Sequence, residues 1–407
     1  MEAHFERLAA VMKQIQGFIY PNEVELHWGL LIVIYPYITG LVAGAFILAS
    51  LEKVFNVKEV EPTYRLALLT ALAFLLVAPM PLQAHLGHPE RSIEIFLTPH
   101  FASAMAMFGF VYAWYLMVVL LLEVWFEYRA DIVIWSRSAR GIRRLLLNVI
   151  SLGSRDLSEQ AVAFDRKAVH FITILGIPSA FLLHGYVGFI FGSVKANPWW
   201  SSVLMPIVFL FSAIVSGIAM VLLLYYVTTL MRGKAPDMTC LDKLASFLFY
   251  ALIVDFSLEG LDFIHRLYES EESIKILREL IFTKLFLSLT IVQILLGTIG
   301  PLLLLMVGRF GRLPGELRRI GYVIAAILVQ VGIFSVRWNV VIGGQLFSKS
   351  LRGLTAYKME LTGMEGLFVG IALLTLPFII LWGLLKLLPP WEEARASRPA
   401  PGGAASS

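Results

Sequence analysis

The sequence predicts an all-α polytopic membrane protein of about nine transmembrane helices. The expected plan is two four-helix bundles plus a C-terminal helix, with the N-terminus out and the C-terminus in. Three observations predict it. Apolar runs of roughly 20 residues recur along the chain, the length a helix needs to cross a bilayer. Of 407 residues, 58% are hydrophobic and 15% charged, with a mean hydropathy of +0.78. A soluble core of this size needs no such values. The lysines and arginines gather in particular connecting segments, which is a topology signal.

Residues 1–26 form an N-terminal segment without an apolar stretch followed by a small-residue cleavage site, so no cleavable signal peptide is expected. Spans are expected at 27–51, 65–84, 101–126 and 168–193 (the first bundle, 27–193), and at 203–230, 244–264, 281–308 and 319–338 (the second, 203–338). A ninth lies at 364–388. The segment 130–152 sets Arg137, Arg140, Arg143 and Arg144 among apolar residues, the composition of an interfacial amphipathic helix. The tail 391–407, rich in Ala, Ser, Pro and Gly, reads as a flexible end.

Orientation follows from the basic residues. The connection after the third span carries Arg129, Arg137, Arg140, Arg143, Arg144, Arg155, Arg166 and Lys167. It is expected in the cytoplasm, as is the connection with Arg309, Arg312, Arg318 and Arg319. The segments 85–100 and 194–202 hold only Arg91 and Lys195, as outside loops do. Small residues recur at Thr39, Gly40 and Gly44 in the first span and at Ser212, Ser216 and Gly217 in the fifth. Both stretches are small-xxx-small seams that let helices approach, and both spans run outside to inside, consistent with two parallel repeats.

The sixth span carries acids inside it. Asp255, Glu259 and Asp262 follow at intervals of four and three, which stacks their carboxyls on one helical face. A charge at the bilayer centre costs roughly 2.5–3.5 kcal/mol on insertion scales, so that face needs partners, protons or water. A proton relay with Arg337 and a static ion-pair network with Arg266 or Arg337 are both open. Arg337 can also reach the interface by snorkelling. Glu123 stands near the inner end of the third span, either as the inner mouth of a proton path or as a residue reaching the headgroups.

On this topology His27, His184, Tyr186, Glu259, Asp262, Arg337 and the loop His85–Pro89 fall near one membrane face. A proton-coupled redox headgroup carried in lipid needs that combination: donors for its carbonyls and a titrating relay for its protons. His27 beside Trp28 can equally be an interfacial anchor, and His184 can make a purely structural hydrogen bond. His85, His88 and His100 lack a close-set ligand pattern, so no metal site is expected. His170 and His184 lie on one face of one helix, about 21 Å apart at 1.5 Å per residue. No other span has two histidines, so a pair of bis-histidine haems is disfavoured. The single cysteine, Cys240, leaves no ligand set for a cysteine-bound iron–sulfur cluster and no internal disulfide. The net charge of +4 gives no reason to expect nucleic acid.

The stretch Trp28-Gly29 through Tyr35-Pro36-Tyr37 to Phe46 resembles the NrfD/PsrC family, the membrane subunits of polysulfide-reductase-like complexes. So do His184-Gly185-Tyr186-Val187-Gly188-Phe189-Ile190, Pro198-Trp199 and the seam from Pro206 to Gly217. Arg337-Trp338-Asn339 through Gln345 looks like the long-form branch of DsrP- and HybB-type subunits. The resemblance covers nearly the whole chain. It implies two four-helix bundles and electron exchange between the quinone pool (menaquinone or ubiquinone) and a periplasmic ferredoxin-like iron–sulfur subunit on the outer face. No haem or iron–sulfur cluster of the chain's own is expected. It implies a quinone pocket in which His27, with Asn22 or Glu25, and His184 or Tyr186 take part, in a prokaryotic cytoplasmic membrane.

A secondary transporter built around the acid row is the rival, with Pro178 and Pro206 as hints of broken helices. One haem b with an unusual ligand, or an anchor without redox role, are further alternatives.

Overall fold

The computed structural model describes residues 2–269 and 273–391, and within them the chain is helical almost throughout. Among the described residues, nine helices are long and apolar enough to cross a membrane. Span 1 is Leu30–Lys53, span 2 Lys58–His85, span 3 Ala106–Ser138, span 4 Glu159–Gly192 and span 5 Met205–Met231. Span 6 is Met238–Arg266, span 7 Phe286–Phe310, span 8 Gly315–Gln345 and span 9 Leu367–Leu387. The one sheet among the described residues is a pairing of Gln16–Gly17 with Gly353–Leu354, too short to leave a period-two pattern in the sequence. The expected tail lies outside the described residues, apart from Trp391.

Span 1 is the hub, packed against spans 2, 4, 5 and 8. Its small-residue seam meets that of span 5. A Cβ on Gly217 would fall onto the backbone of Gly44 and Ala45, and one on Gly44 would strike Ala213 and come 2.8 Å from the Gly217 Cα. Such contact is open only to glycine. Gly217→Val is therefore expected to destabilise the protein by at least about 1–3 kcal/mol, the cost of overpacking. Gly383→Ala, where an added Cβ meets nothing within 4 Å, should be neutral. Thermal unfolding in detergent compares the two.

Two expectations need correction. Residues 130–138 continue the helix of span 3 without a break, and the separate amphipathic helix is the shorter Gly141–Ile150, with Ile142, Leu145 and Val149 exposed. The helix runs on because its charges are met by remote partners. Arg129 is bound by Asp165 at 2.7 Å, and Arg65 of span 2 holds both Glu127 and Asp131 at 2.7 Å. Nor do the prolines break helices. Pro178 sits within the continuous span 4, and Pro206 occupies the first turn of span 5, where its missing N–H costs nothing. The transporter reading loses those hints.

Side-chain contacts define two ends of the molecule. At the near end, Gln345 clamps Trp28, Asn197 donates to the Gly344 carbonyl at 2.6 Å, and His85 meets Glu365 at 2.8 Å. At the far end, Lys243 reaches Glu59 at 3.0 Å and the Trp125 indole donates to the Ile150 carbonyl at 3.0 Å. Spans 3 and 7 each contain π-helical turns, over Tyr115–Leu120 and Phe286–Ile299. Such turns shift side chains around the helix and are frequent at functional sites.

Candidate functional site

A cavity of about 320 Å³ opens at the near end. Three of the sequence-predicted residues, Asn22, Glu25 and His27, line it, together with Trp28, Trp200 and Gln345. Asn22 and His27 are exposed and Glu25 is half-buried. Span 1 begins only at Leu30, so these residues stand on the segment leading into it and the cavity keeps a polar rim. Its wall is aromatic. Trp28 and Trp200 stack with centroids 5.3 Å apart, and Phe191 packs edge-on against both, at 5.9 and 5.4 Å. Gln345 fixes Trp28 by accepting from its backbone N–H and donating to its carbonyl, each at 3.0 Å. The Trp200 indole donates to the Val340 carbonyl at 2.6 Å, which locks the ring.

His184 does not line this cavity. It lies deeper, fully buried, and is joined to the wall through rings: Phe191 contacts Phe209 at 5.8 Å, and Phe209 stacks on the His184 imidazole at 5.7 Å. Gly40 makes the room, since a Cβ there would come 3.2 Å from the ring. His184 Nε2 faces Arg337 Nη2 at 3.1 Å, while Nδ1 has no hydrogen-bond partner. Tyr186, the other reading of that pair, turns away and stacks on Phe108 at 6.1 Å. Two residues on a helix point roughly 200° apart, so only one can face span 5.

Arg337 does not snorkel. It is wholly buried, donates to the Ser212 hydroxyl at 2.6 Å, and lies 4.2 Å over the Phe209 ring. Its Nε and Nη1 find no hydrogen-bond partner. No ion pair joins it to Asp255 or Glu259 among the described residues. A buried guanidinium with two idle donors is strongly held and ready to bond to something further.

The acid row divides in two. Asp262 is spoken for: Arg266 binds it at 2.9 Å and the Ser202 hydroxyl donates to it. The static ion pair with Arg266 is real at that position. Glu259 and Asp255 are buried and make no such pair among the described residues. Glu259 accepts from the Gln293 amide at 3.1 Å, Gln293 accepts from Asn339 at 2.7 Å, and Asn339 accepts from the Ser288 hydroxyl at 2.6 Å. Asp255 Oδ1 has no partner. A small cavity of about 60 Å³ touches Glu259, Asp262, Arg266, Gln293 and Asn339. Arg266 also lines a crater of about 840 Å³ at the near end, with Lys195, Ser202, His265 and Lys349. The crater and the small cavity share Arg266, the small cavity reaches Glu259, and Asp255 lies one helical turn further along span 6.

The predicted residues therefore fall into two groups, a rim group of Asn22, Glu25 and His27 and an inner group of His184, Arg337 and the acids, linked by rings. His170, the other haem candidate, is exposed and faces the Lys53 carbonyl at 3.2 Å. Sequence reasoning passed over Trp200, Gln345, Gln293 and Asn339 as site residues. The signal available was a neutral amide in the middle of an apolar run, which needs a partner as an acid does.

Known proteins bear on this arrangement. The model of the family described as polysulphide reductase, NrfD, matches residues 21–349. The chain is 33% identical to a selenate reductase subunit of Mesobacillus selenatarsenatis, over 77% of this chain and 73% of that one. It is 29% identical to a putative dimethyl sulfoxide reductase membrane subunit of Halobacterium salinarum, over 53% and 48%. It is 24% identical to the Hdr-like menaquinol oxidoreductase integral membrane subunit of Archaeoglobus fulgidus, over 89% and 81%.

Proposed function

The chain belongs to the NrfD polysulphide reductase family, and on that premise we propose that it is the quinone-reacting membrane subunit of a respiratory oxidoreductase complex. It is a multi-pass integral membrane protein, and relatives named as subunits imply partner chains. In this reading the near end faces outward, and an iron–sulfur partner docks there to exchange electrons with quinol held in the near-end cavity. The single observation that carries it is the rim cavity of Asn22, Glu25 and His27 joined by four aromatic rings to the buried His184–Arg337 pair.

The cavity fits the group. Its volume of about 320 Å³ lies within the range of roughly 300–1,000 Å³ typical of small-molecule sites. A flat ring matches the stacked Trp28 and Trp200, and His27 and Asn22 offer donors at the rim. Menaquinol is favoured by the name of the Archaeoglobus relative. Bound quinol supplies two electrons and two protons. His27 is placed to accept a rim proton, and Arg337 holds positive charge beneath the rings. Glu259 and Asp255 stand where a proton leaving the inner pair is received, with Asp262 and Arg266 at the door to the crater.

His27 is exposed, so His27→Ala should leave the fold intact. It is expected to weaken binding of a menaquinol analogue to the whole complex by about threefold to tenfold, the worth of one hydrogen bond. Quenching of tryptophan emission reads the binding directly, through Trp28 and Trp200. Unaltered affinity in both His27→Ala and Trp200→Ala would place the quinone elsewhere.

A further inference from the structure

Span 3 carries a second row of acids for which the quinone reading has no use. Glu123, Glu127 and Asp131 follow at intervals of four, on one face of their helix. This row runs inward from the far end, whereas the Asp255–Asp262 row runs inward from the near end. Its mouth is charged. A cavity of about 150 Å³ is lined by Lys53, Arg65, Glu127, Asp165 and Arg166, and Lys53 stands 3.7 Å from Glu127.

One turn deeper the surroundings change. Glu123 is fully buried and has no ion pair among the described residues. Its Oε1 accepts from the Thr173 hydroxyl at 2.8 Å and the Tyr64 hydroxyl at 3.2 Å. Its Oε2 is buried and receives no hydrogen bond. Tyr115, on the π-helical turn of the same span, is likewise buried with an unpartnered hydroxyl. A purely structural acid is expected to have both oxygens satisfied, because an idle buried oxygen costs about 1–3 kcal/mol. Oε2 is the atom left to carry a proton.

We propose that Glu123 is a proton-exchange site served from the far end of the molecule, through the Lys53–Arg65–Glu127 cavity. A hydronium in that cavity gives its proton to Oε2, its O–H bond breaking as the carboxyl O–H forms, and leaves as water; the reverse step returns the proton to water and restores the carboxylate. The chain then has two half-paths of opposite direction, each ending on a buried acid oxygen without a partner: Glu123 Oε2 from one end, Asp255 Oδ1 from the other. The inference goes beyond the quinone reading and does not depend on it, since it needs only that the spans cross a bilayer.

Infrared difference spectroscopy of the whole complex in membranes, on exchange of H₂O for D₂O, tests it without quinol. The wild type should show a carboxyl C=O band that is absent from Glu123→Gln and moves to lower frequency on exchange. Glutamine keeps an acceptor for Thr173 and Tyr64. Should that variant fail to assemble, Tyr64→Phe identifies the same band, by shifting it as the hydrogen bond is lost. Ala130→Trp fills the cavity and should slow the exchange severalfold. A missing Glu123 band, a band that stays unshifted on prolonged exchange, or equal exchange in Ala130→Trp overturns the proposal.

Discussion

Arg337→Met is expected to lower quinol-dependent turnover of the assembled complex by about two to four orders of magnitude, the range that positioned acid–base groups contribute. The guanidinium touches both His184 and Ser212 from the heart of the buried site. Without it, His184 Nε2 loses its partner and the Ser212 hydroxyl loses its bond. Asp255 and Glu259 lose the positive charge that offsets them. Breaking a buried charge network also destabilises, by about 3–5 kcal/mol. Turnover must therefore be set against assembly, measured as the amount of partner subunit retained. Arg337→Lys separates the two effects. It keeps the charge but loses the forked geometry that reaches His184 and Ser212 together. It should assemble as the wild type does and stay well below it in rate. Wild-type turnover in Arg337→Lys and only a stability defect in Arg337→Met would reduce the residue to structural glue.

Glu259→Gln is expected to cut turnover about a hundredfold while leaving affinity for the quinol analogue unchanged. The substitution is nearly isosteric, and its amide oxygen still accepts from Gln293, so the bonded series to Asn339 and Ser288 survives. What it removes is the ability to take up and pass on a proton beside the small cavity. Asp262→Asn should behave differently. It frees Arg266 and Ser202 at the crater, so a loss of stability should accompany any loss of rate. A Glu259→Gln enzyme with wild-type rate and affinity leaves the inner acids as a static network.

Most of the fold was legible because of one cost. Unpaired backbone cannot cross lipid, so each crossing must be a helix of about 20 apolar residues, and such runs are visible in a sequence. The acid row of span 6 was legible for a related reason: a fixed spacing on a helix determines a face. The failures share a cause as well. Residues 130–138 read as part of the amphipathic segment because Arg137 was grouped with Arg140, Arg143 and Arg144, while Arg65, the partner of Asp131, sits far away in the chain. Arg337 stayed open between a relay, an ion pair and snorkelling because His184, 153 positions away, could not be seen to face it. The choice between His184 and Tyr186 turned on which side of span 4 meets span 5, and two residues decide that. The seams at Gly44 and Gly217 were each visible, but not that they touch each other. The aromatic wall was half visible: Trp28 and His27 were adjacent in sequence, while Trp200 arrives from the connection after span 4 and Gln345 from the end of span 8.

The central claim is the location of the quinone ring, and a structure of the whole complex with a bound menaquinol analogue tests it most directly. The molecule has another cavity of about 320 Å³, an apolar groove beside Tyr37, Phe74, Gln330 and Phe378. Ring density in the near-end cavity beside Trp28, Trp200 and His27, above the rings that lead to His184, is the predicted result. Ring density in the Tyr37–Gln330 groove, with the near-end cavity free of ligand, would contradict the account.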